Sequence, residues 1–124
     1  MRTALGQVRG LGSAKKGTED FVASRVTGIG LALLTIPFVI IVAAAWGRSY
    51  EDALLLLGSP LVAIVLIAAI LLTTVHMRLG MQVVIEDYVH TELPKFVLLI
   101  ANFIFAWAIG LVAIFAVLKI AFGA

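Results

Sequence analysis

The residues best suited to chemistry lie in one stretch, from His76 to Tyr88, which continues an otherwise apolar segment. His76, Arg78 and Gln82 come first, and Asp87 and Tyr88 close the stretch. Ionisable side chains at membrane depth are costly, so those that occur commonly mark a bound group or a transfer path. The chemistry of this chain is therefore expected in this stretch.

His76 has two possible roles. At about 100° per residue, His76 shares a helix face with Gly80, which leaves room for a flat group beside the imidazole. Imidazole is a good axial ligand for haem iron, whereas a lone intramembrane histidine can also simply hydrogen-bond a carbonyl of a neighbouring helix. The other histidine, His90, follows the apolar segment. If haem binds, its second axial ligand must therefore come from another polypeptide.

The charged and phenolic neighbours of His76 also leave alternatives open. Arg78 and Arg25 could each pair with a haem propionate or extend to the lipid headgroups. Tyr88 lies roughly 18 Å along the helix from His76, at a depth where tyrosine is enriched as an interfacial residue. Beside Asp87, its hydroxyl could instead bind a quinone carbonyl, with Asp87 orienting it or relaying protons.

The elements that carry these residues are three predicted membrane spans. The chain of 124 residues is 63% hydrophobic and only 13% charged, against about 25% charged in an average globular domain. A span needs roughly 20 apolar residues, which predicts spans at about 26–46, 60–85 and 97–118. The predicted fold class is an all-α membrane protein, with residues 1–124 forming a single membrane domain. Cysteine is absent, which excludes disulfides and thiolate sites.

The distribution of basic residues predicts the orientation. Five precede or open the first span, and the next connection contains only Arg48; the five are Arg2, Arg9, Lys15, Lys16 and Arg25. The positive-inside rule then places the N-terminus in the cytoplasm. A cleaved signal peptide ending near residues 43–45 is the alternative interpretation of the first span, although its apolar region is longer than usual. The net charge of +2 is small, and no nucleic-acid partner is expected.

Two motifs resemble a known family. The stretch His76-x3-Gly80-x-Gln82-Val83-x3-Asp87-Tyr88-Val89 and the upstream Gly17-x2-Asp20-Phe21-x3-Arg25-x-Thr27 are similar to the two signatures of the succinate dehydrogenase hydrophobic membrane anchor subunits. The resemblance covers roughly residues 10 to 95 and favours the alphaproteobacterial and mitochondrial branch.

The resemblance implies a haem-binding bundle formed with a companion three-helix cytochrome b subunit. His76 would be one axial ligand of haem b, and Arg25 would contact a propionate. Arg78 differs from several relatives, so a propionate role there is a hypothesis. Tyr88, with Asp87 beside it, would bind ubiquinone.

The same resemblance implies a place in an assembly rather than an enzyme in its own right. The chain would anchor an iron–sulfur subunit and a flavoprotein subunit in the bacterial cytoplasmic (inner) membrane, in preference to the mitochondrial one. Two other classes remain alternatives. A holin-like pore former would not need His76, and a proton-conducting subunit could use His76 and Asp87 as a relay.

Overall fold

The computed structural model describes residues 16–123, with side chains from residue 17 onward. Arg2, Arg9 and Lys15, on which much of the orientation prediction rests, lie outside the described residues, and of Lys16 only the backbone is described. Within this part of the chain every regular element is helical: α1 (Lys16–Ala45), α2 (Tyr50–Leu57), α3 (Pro60–Tyr88) and α4 (Glu92–Ala121).

Three of the helices are long and apolar enough to cross a membrane. They are α1, α3 and α4, which have 30, 29 and 30 residues. At 1.5 Å per residue each is roughly 44 Å long, whereas a hydrocarbon core is about 30 Å thick. The all-helical fold with three spans is therefore confirmed. The polar second span is a single helix through Tyr88, so His76 and the polar residues after it share one helix.

The helix boundaries differ from the predicted ones in two places. The connection between α3 and α4 comprises only residues 89–91, shorter than the interval between the predicted spans 60–85 and 97–118. The predicted loop after the first span contains α2. The Ser49 hydroxyl caps α2 by accepting a hydrogen bond from the Asp52 N–H at 3.2 Å, and Glu51 and Asp52 place negative charge in the first turn, as a helix N-terminus favours.

The long helices form an open layer with α3 in the middle. α3 packs against α1 on one side and α4 on the other, and α1 and α4 make no close backbone approach in the described part of the chain. Few apolar residues are buried as a result: Ile41, Ala63, Leu79, Ile85 and Ala106. The broad faces of the layer are left for lipid or for other chains.

Two small residues of α4, Ala106 and Gly110, allow α3 and α4 to approach closely. Both are buried, and a methyl group on Gly110 would lie 2.5 Å from Thr74 Oγ1. Asn102 Nδ2 also donates a hydrogen bond of 2.9 Å to the Arg78 carbonyl. Because the hydrophobic effect does not drive helix association in lipid, such close packing and polar contacts hold α3 in place.

Candidate functional site

His76 lies at the interface of α3 with α1, half-buried. Its Nδ1 is 3.0 Å from the hydroxyl oxygen of Thr27, and Thr27 is only 6% exposed. Forty-nine residues separate the two in sequence, so the antiparallel packing of α1 and α3 brings them together. The imidazole is thus held by a neighbouring helix through one of its two nitrogens.

A groove of about 500 Å³ opens beside the imidazole. Its other walls all come from one side of α1: Phe21, Ser24, Arg25, Gly28, Ile29 and Ala32. Gly28 lies against the ring, because a methyl group there would be 3.4 Å from His76 Cε1. The Arg25 side chain is exposed and lies 5.1 Å from the centre of the Phe21 ring. One face of the chain therefore combines an imidazole, a guanidinium and a side-chain-free position.

Glycine flanks His76 from two helices rather than one. A methyl group on Gly80 would meet no atom within 4 Å, so the space that the sequence predicts there is present. The second glycine, Gly28, belongs to α1 and lines the groove. Thr27 and Gly28 are the residues that the sequence prediction missed. The available signal was that Arg25-x-Thr27 and the His76 motif occur in the same sequence. That signal did not show which residues of the two helices contact each other.

Arg78 lies on the other side of α3. Two positions along a helix correspond to a rotation of about 200°, which takes Arg78 away from the His76 groove and towards α4. Its guanidinium carbon is 5.7 Å from the centre of the Phe103 ring, and its Nη1 donates to Gln82 Oε1 at 3.4 Å. The propionate role suggested for Arg78 stays a prediction, and of the two arginines only Arg25 lines the groove.

A polar cluster links α1 and α3 towards the end of the layer where α1 begins. Gln82 Nε2 donates to Asp20 Oδ2 and to Glu86 Oε1, both at 3.1 Å. Together with the bond from Arg78, these contacts use both the amide oxygen and the amide nitrogen of Gln82. Since amide hydrogen bonds to carboxylates satisfy polar groups that lipid cannot, the cluster explains why a glutamine is tolerated in α3.

Asp87 and Tyr88 are the last two residues of α3, at that same end of the layer. Both side chains are exposed, Tyr88 to 79%. By helix rise they lie roughly 18 Å from His76 along α3. Among the residues that the structure describes, the phenol and the carboxylate are thus open to a bound molecule or to another chain.

The residues beside His76 fit a haem. The chain offers one imidazole nitrogen not bound to Thr27, a groove whose nearest wall lacks a side chain at Gly28, and a cationic side chain at Arg25 suited to a carboxylate. No cluster of three or more metal-binding side chains occurs among residues 16–123. A single imidazole beside such a groove suits a metal that carries most of its own ligands, as haem iron does.

Comparisons with known proteins identify the family. The architecture is that of a multi-pass membrane protein with three apolar helices. Residues 1–118 match the family model described as succinate dehydrogenase/fumarate reductase transmembrane subunit, and the chain belongs to this family.

Curated relatives agree with the family model. The chain is 35% identical over 115 residues to the succinate dehydrogenase hydrophobic membrane anchor subunit of Paracoccus denitrificans, covering 93% of this chain and 88% of the relative. It is 30% identical over 105 residues to the subunit of the same name from Rickettsia bellii (strain RML369-C), covering 85% and 84%. No solved structure gives a significant match. The resemblance to succinate dehydrogenase membrane anchor subunits is confirmed.

Proposed function

We propose that this chain is the membrane-anchor subunit of a succinate:quinone oxidoreductase and holds one side of a haem b through His76. The observation that carries the proposal is the His76 groove, in which the imidazole, Arg25 and Gly28 face the same space. Family membership supplies the enzyme class. When bound, haem b supplies a one-electron carrier within the membrane.

A companion cytochrome b subunit completes the haem site in this proposal. His76 is the one histidine within α3, and His90 lies beyond the end of that helix. A second protein ligand to the haem iron would therefore come from the companion. Arg25 lies on the same groove and pairs with a propionate, because a guanidinium matches carboxylate geometry. The open layer of α1, α3 and α4 offers a broad face to such a partner.

Quinone reduction takes place at the end of the layer that contains Tyr88. Its exposed phenol donates a hydrogen bond to a carbonyl oxygen of ubiquinone, and Asp87 next to it supplies or accepts protons. The companion subunit and the iron–sulfur subunit contribute the walls around the exposed Tyr88 side chain. This end faces the cytoplasm of a bacterium, where the iron–sulfur and flavoprotein subunits dock and the flavoprotein oxidises succinate.

The decisive experiment compares the two histidines of the chain. The complex is purified from membranes carrying His76→Ala or His90→Ala, and flavin and iron–sulfur content report on assembly. A reduced-minus-oxidised difference spectrum then reports on haem b. We expect His76→Ala to remove the haem b absorbance, because an alanine offers the iron no ligand. His90→Ala is the matched control and retains the absorbance.

Two results would contradict the proposal. An assembled His76→Ala complex with an unchanged haem spectrum would exclude ligation by His76. If the wild-type chain purifies without any flavin or iron–sulfur partner, the assignment to a succinate:quinone oxidoreductase is wrong as a whole.

A further inference from the structure

The contacts of the Thr27 hydroxyl group bear on which nitrogen of His76 carries the proton. The Thr27 hydroxyl oxygen lies 2.8 Å from the Ala23 carbonyl oxygen, 3.2 Å from that of Ser24, and 3.0 Å from His76 Nδ1. A hydroxyl group has a single proton to donate but can accept through its lone pairs. The two carbonyl oxygens can only accept.

The hydroxyl proton therefore belongs to the backbone of α1. The Ala23 carbonyl is four residues earlier and is the nearest of the three partners, the usual position for a back-bonded threonine in a helix. With that proton used, the lone pairs of the Thr27 oxygen face Nδ1, so Nδ1 must be the donor. The neutral imidazole then has its proton on Nδ1 and a lone pair on Nε2.

The opposite tautomer makes poorer use of the same contacts. A proton on Nε2 would require the Thr27 hydroxyl to donate to Nδ1, which leaves the close contact with the Ala23 carbonyl without a proton. Thr27 is nearly buried, so water cannot easily replace that bond. A β-branched side chain in a helix also has little rotational freedom, and the oxygen is thereby held in place.

We propose that Thr27 is a positioning residue that holds His76 as the Nδ1–H tautomer, so that Nε2 is presented for ligation of the haem iron. This inference rests on the proposed haem role of His76. Ligating histidines are generally oriented by a hydrogen bond from the other ring nitrogen, which also raises the basicity of the ligand. Thr27 provides that acceptor from a different helix, which ties the orientation of the ligand to the packing of α1 on α3.

The test uses the purified complex with Thr27→Val, which keeps the shape but removes the acceptor, and with Thr27→Ser, which keeps the hydroxyl. The matched control is Thr35→Val, because the Thr35 hydroxyl also donates to a carbonyl four residues earlier, that of Leu31, at 2.7 Å. Thr35 has no histidine beside it. Haem content per flavin and the reduction midpoint of haem b are measured for each complex.

We expect Thr27→Val to weaken haem retention roughly tenfold to a hundredfold, the usual cost of losing such a partner. The reduction midpoint of haem b should rise, since a less basic ligand stabilises ferric iron less. A tenfold change in the ratio of the ligand's affinities for ferric and ferrous iron corresponds to 59 mV for one electron. Thr27→Ser and Thr35→Val should resemble the wild type. A Thr27→Val complex with wild-type haem content and midpoint would overturn the proposal.

A second measurement does not depend on how the variants assemble. In the wild-type chain prepared without haem in lipid bilayers, ¹⁵N NMR of labelled histidine distinguishes a protonated Nδ1 from a protonated Nε2. A His76 ring protonated at Nε2 contradicts the inference, and one protonated at Nδ1 supports it. If His76→Ala itself leaves the haem in place, the proposed function fails instead, so the two failures are distinguishable.

Discussion

Replacing Gly110 by alanine tests the packing that holds α3, the helix that carries His76. The added methyl group would lie 2.5 Å from Thr74 Oγ1 and 3.0 Å from Thr74 Cγ2, which is about 0.9 Å short of an ordinary contact. Thr74 cannot easily move away, because it is buried, β-branched and hydrogen-bonded to the Ile70 carbonyl at 2.8 Å. The two helices must therefore separate.

The change in the free energy of unfolding caused by Gly110→Ala is the sum of two opposing effects. Exchanging glycine for alanine in a helix interior normally stabilises the helix by about 1 kcal/mol, whereas overpacking costs about 1–3 kcal/mol. A gap of 0.5–1 Å between packed surfaces also forfeits a quarter to a half of their dispersion attraction. Because the clash at Gly110 involves a rigid neighbour, we expect a net destabilisation of about 1 kcal/mol or more.

Gly30 provides the matched comparison on the other side of α3. A methyl group there would lie 2.8 Å from Leu72 Cδ1, but every other atom is at least 3.9 Å away. The tip of a leucine can rotate out of the way, so Gly30→Ala should cost much less than Gly110→Ala. Gly17, whose added methyl group would meet nothing within 4 Å, serves as the open control.

The assay is thermal unfolding of the purified complex in a mild detergent, followed by size-exclusion chromatography of the intact species. For a chain of this size, 1 kcal/mol corresponds to roughly 4 °C in the unfolding midpoint. Gly110→Ala should therefore lower the midpoint by about that amount or more, and Gly17→Ala should leave it nearly unchanged. Equal midpoints for Gly110→Ala and Gly30→Ala would refute the close α3–α4 packing described above.

Two further predictions concern the proposed ligands. Tyr88→Phe should lower quinone reduction while leaving succinate oxidation with a soluble acceptor largely intact, because only the hydrogen-bond donor to the quinone is lost. The control is Tyr50→Phe, since Tyr50 is equally exposed at 79% but lies at the other end of the layer; an equal loss of both activities in Tyr88→Phe would argue against a quinone role. Arg25→Gln should lower the reduction midpoint of haem b, since a nearby positive charge favours the reduced state. Arg78→Gln should mainly lower the thermal unfolding midpoint, because the contact of Arg78 with Phe103 is lost. The opposite pattern would assign the propionate to Arg78.

The sequence predicts the three long helices well because composition decides them. A run of about 20 apolar residues has few alternatives to a membrane helix, and polar residues such as Gln82 interrupt the second run without ending it. By contrast, α2 has only eight residues, too few for a periodic pattern to stand out. Its signal was local, in the Ser49 cap and the two acids after it.

The site could be predicted only as far as a single helix determines it. Helical geometry already places Arg78 about 200° from His76, so the separation of Arg78 from the groove was available from the sequence. The contact of Thr27 with His76 could not be predicted from the sequence. The two residues are 49 positions apart, and their contact depends on how far the antiparallel helices α1 and α3 are shifted along each other. That register is determined by packing, including the contact of Gly30 with Leu72, rather than by any pattern within α1 or α3.

The open arrangement of the helices has a consequence for how the proposed haem site can be completed. Neither α1 nor α4 contains a histidine, so neither would supply a second imidazole to a haem held by His76. Among the described residues, the groove is lined by His76 of α3 and by one side of α1, and a flat group held there would remain exposed on its other face. A second layer of helices would cover the exposed face of the haem and would supply both the missing ligand and the missing wall. Under the proposed function, haem retention should therefore depend on assembly with the companion subunit as strictly as on His76 itself.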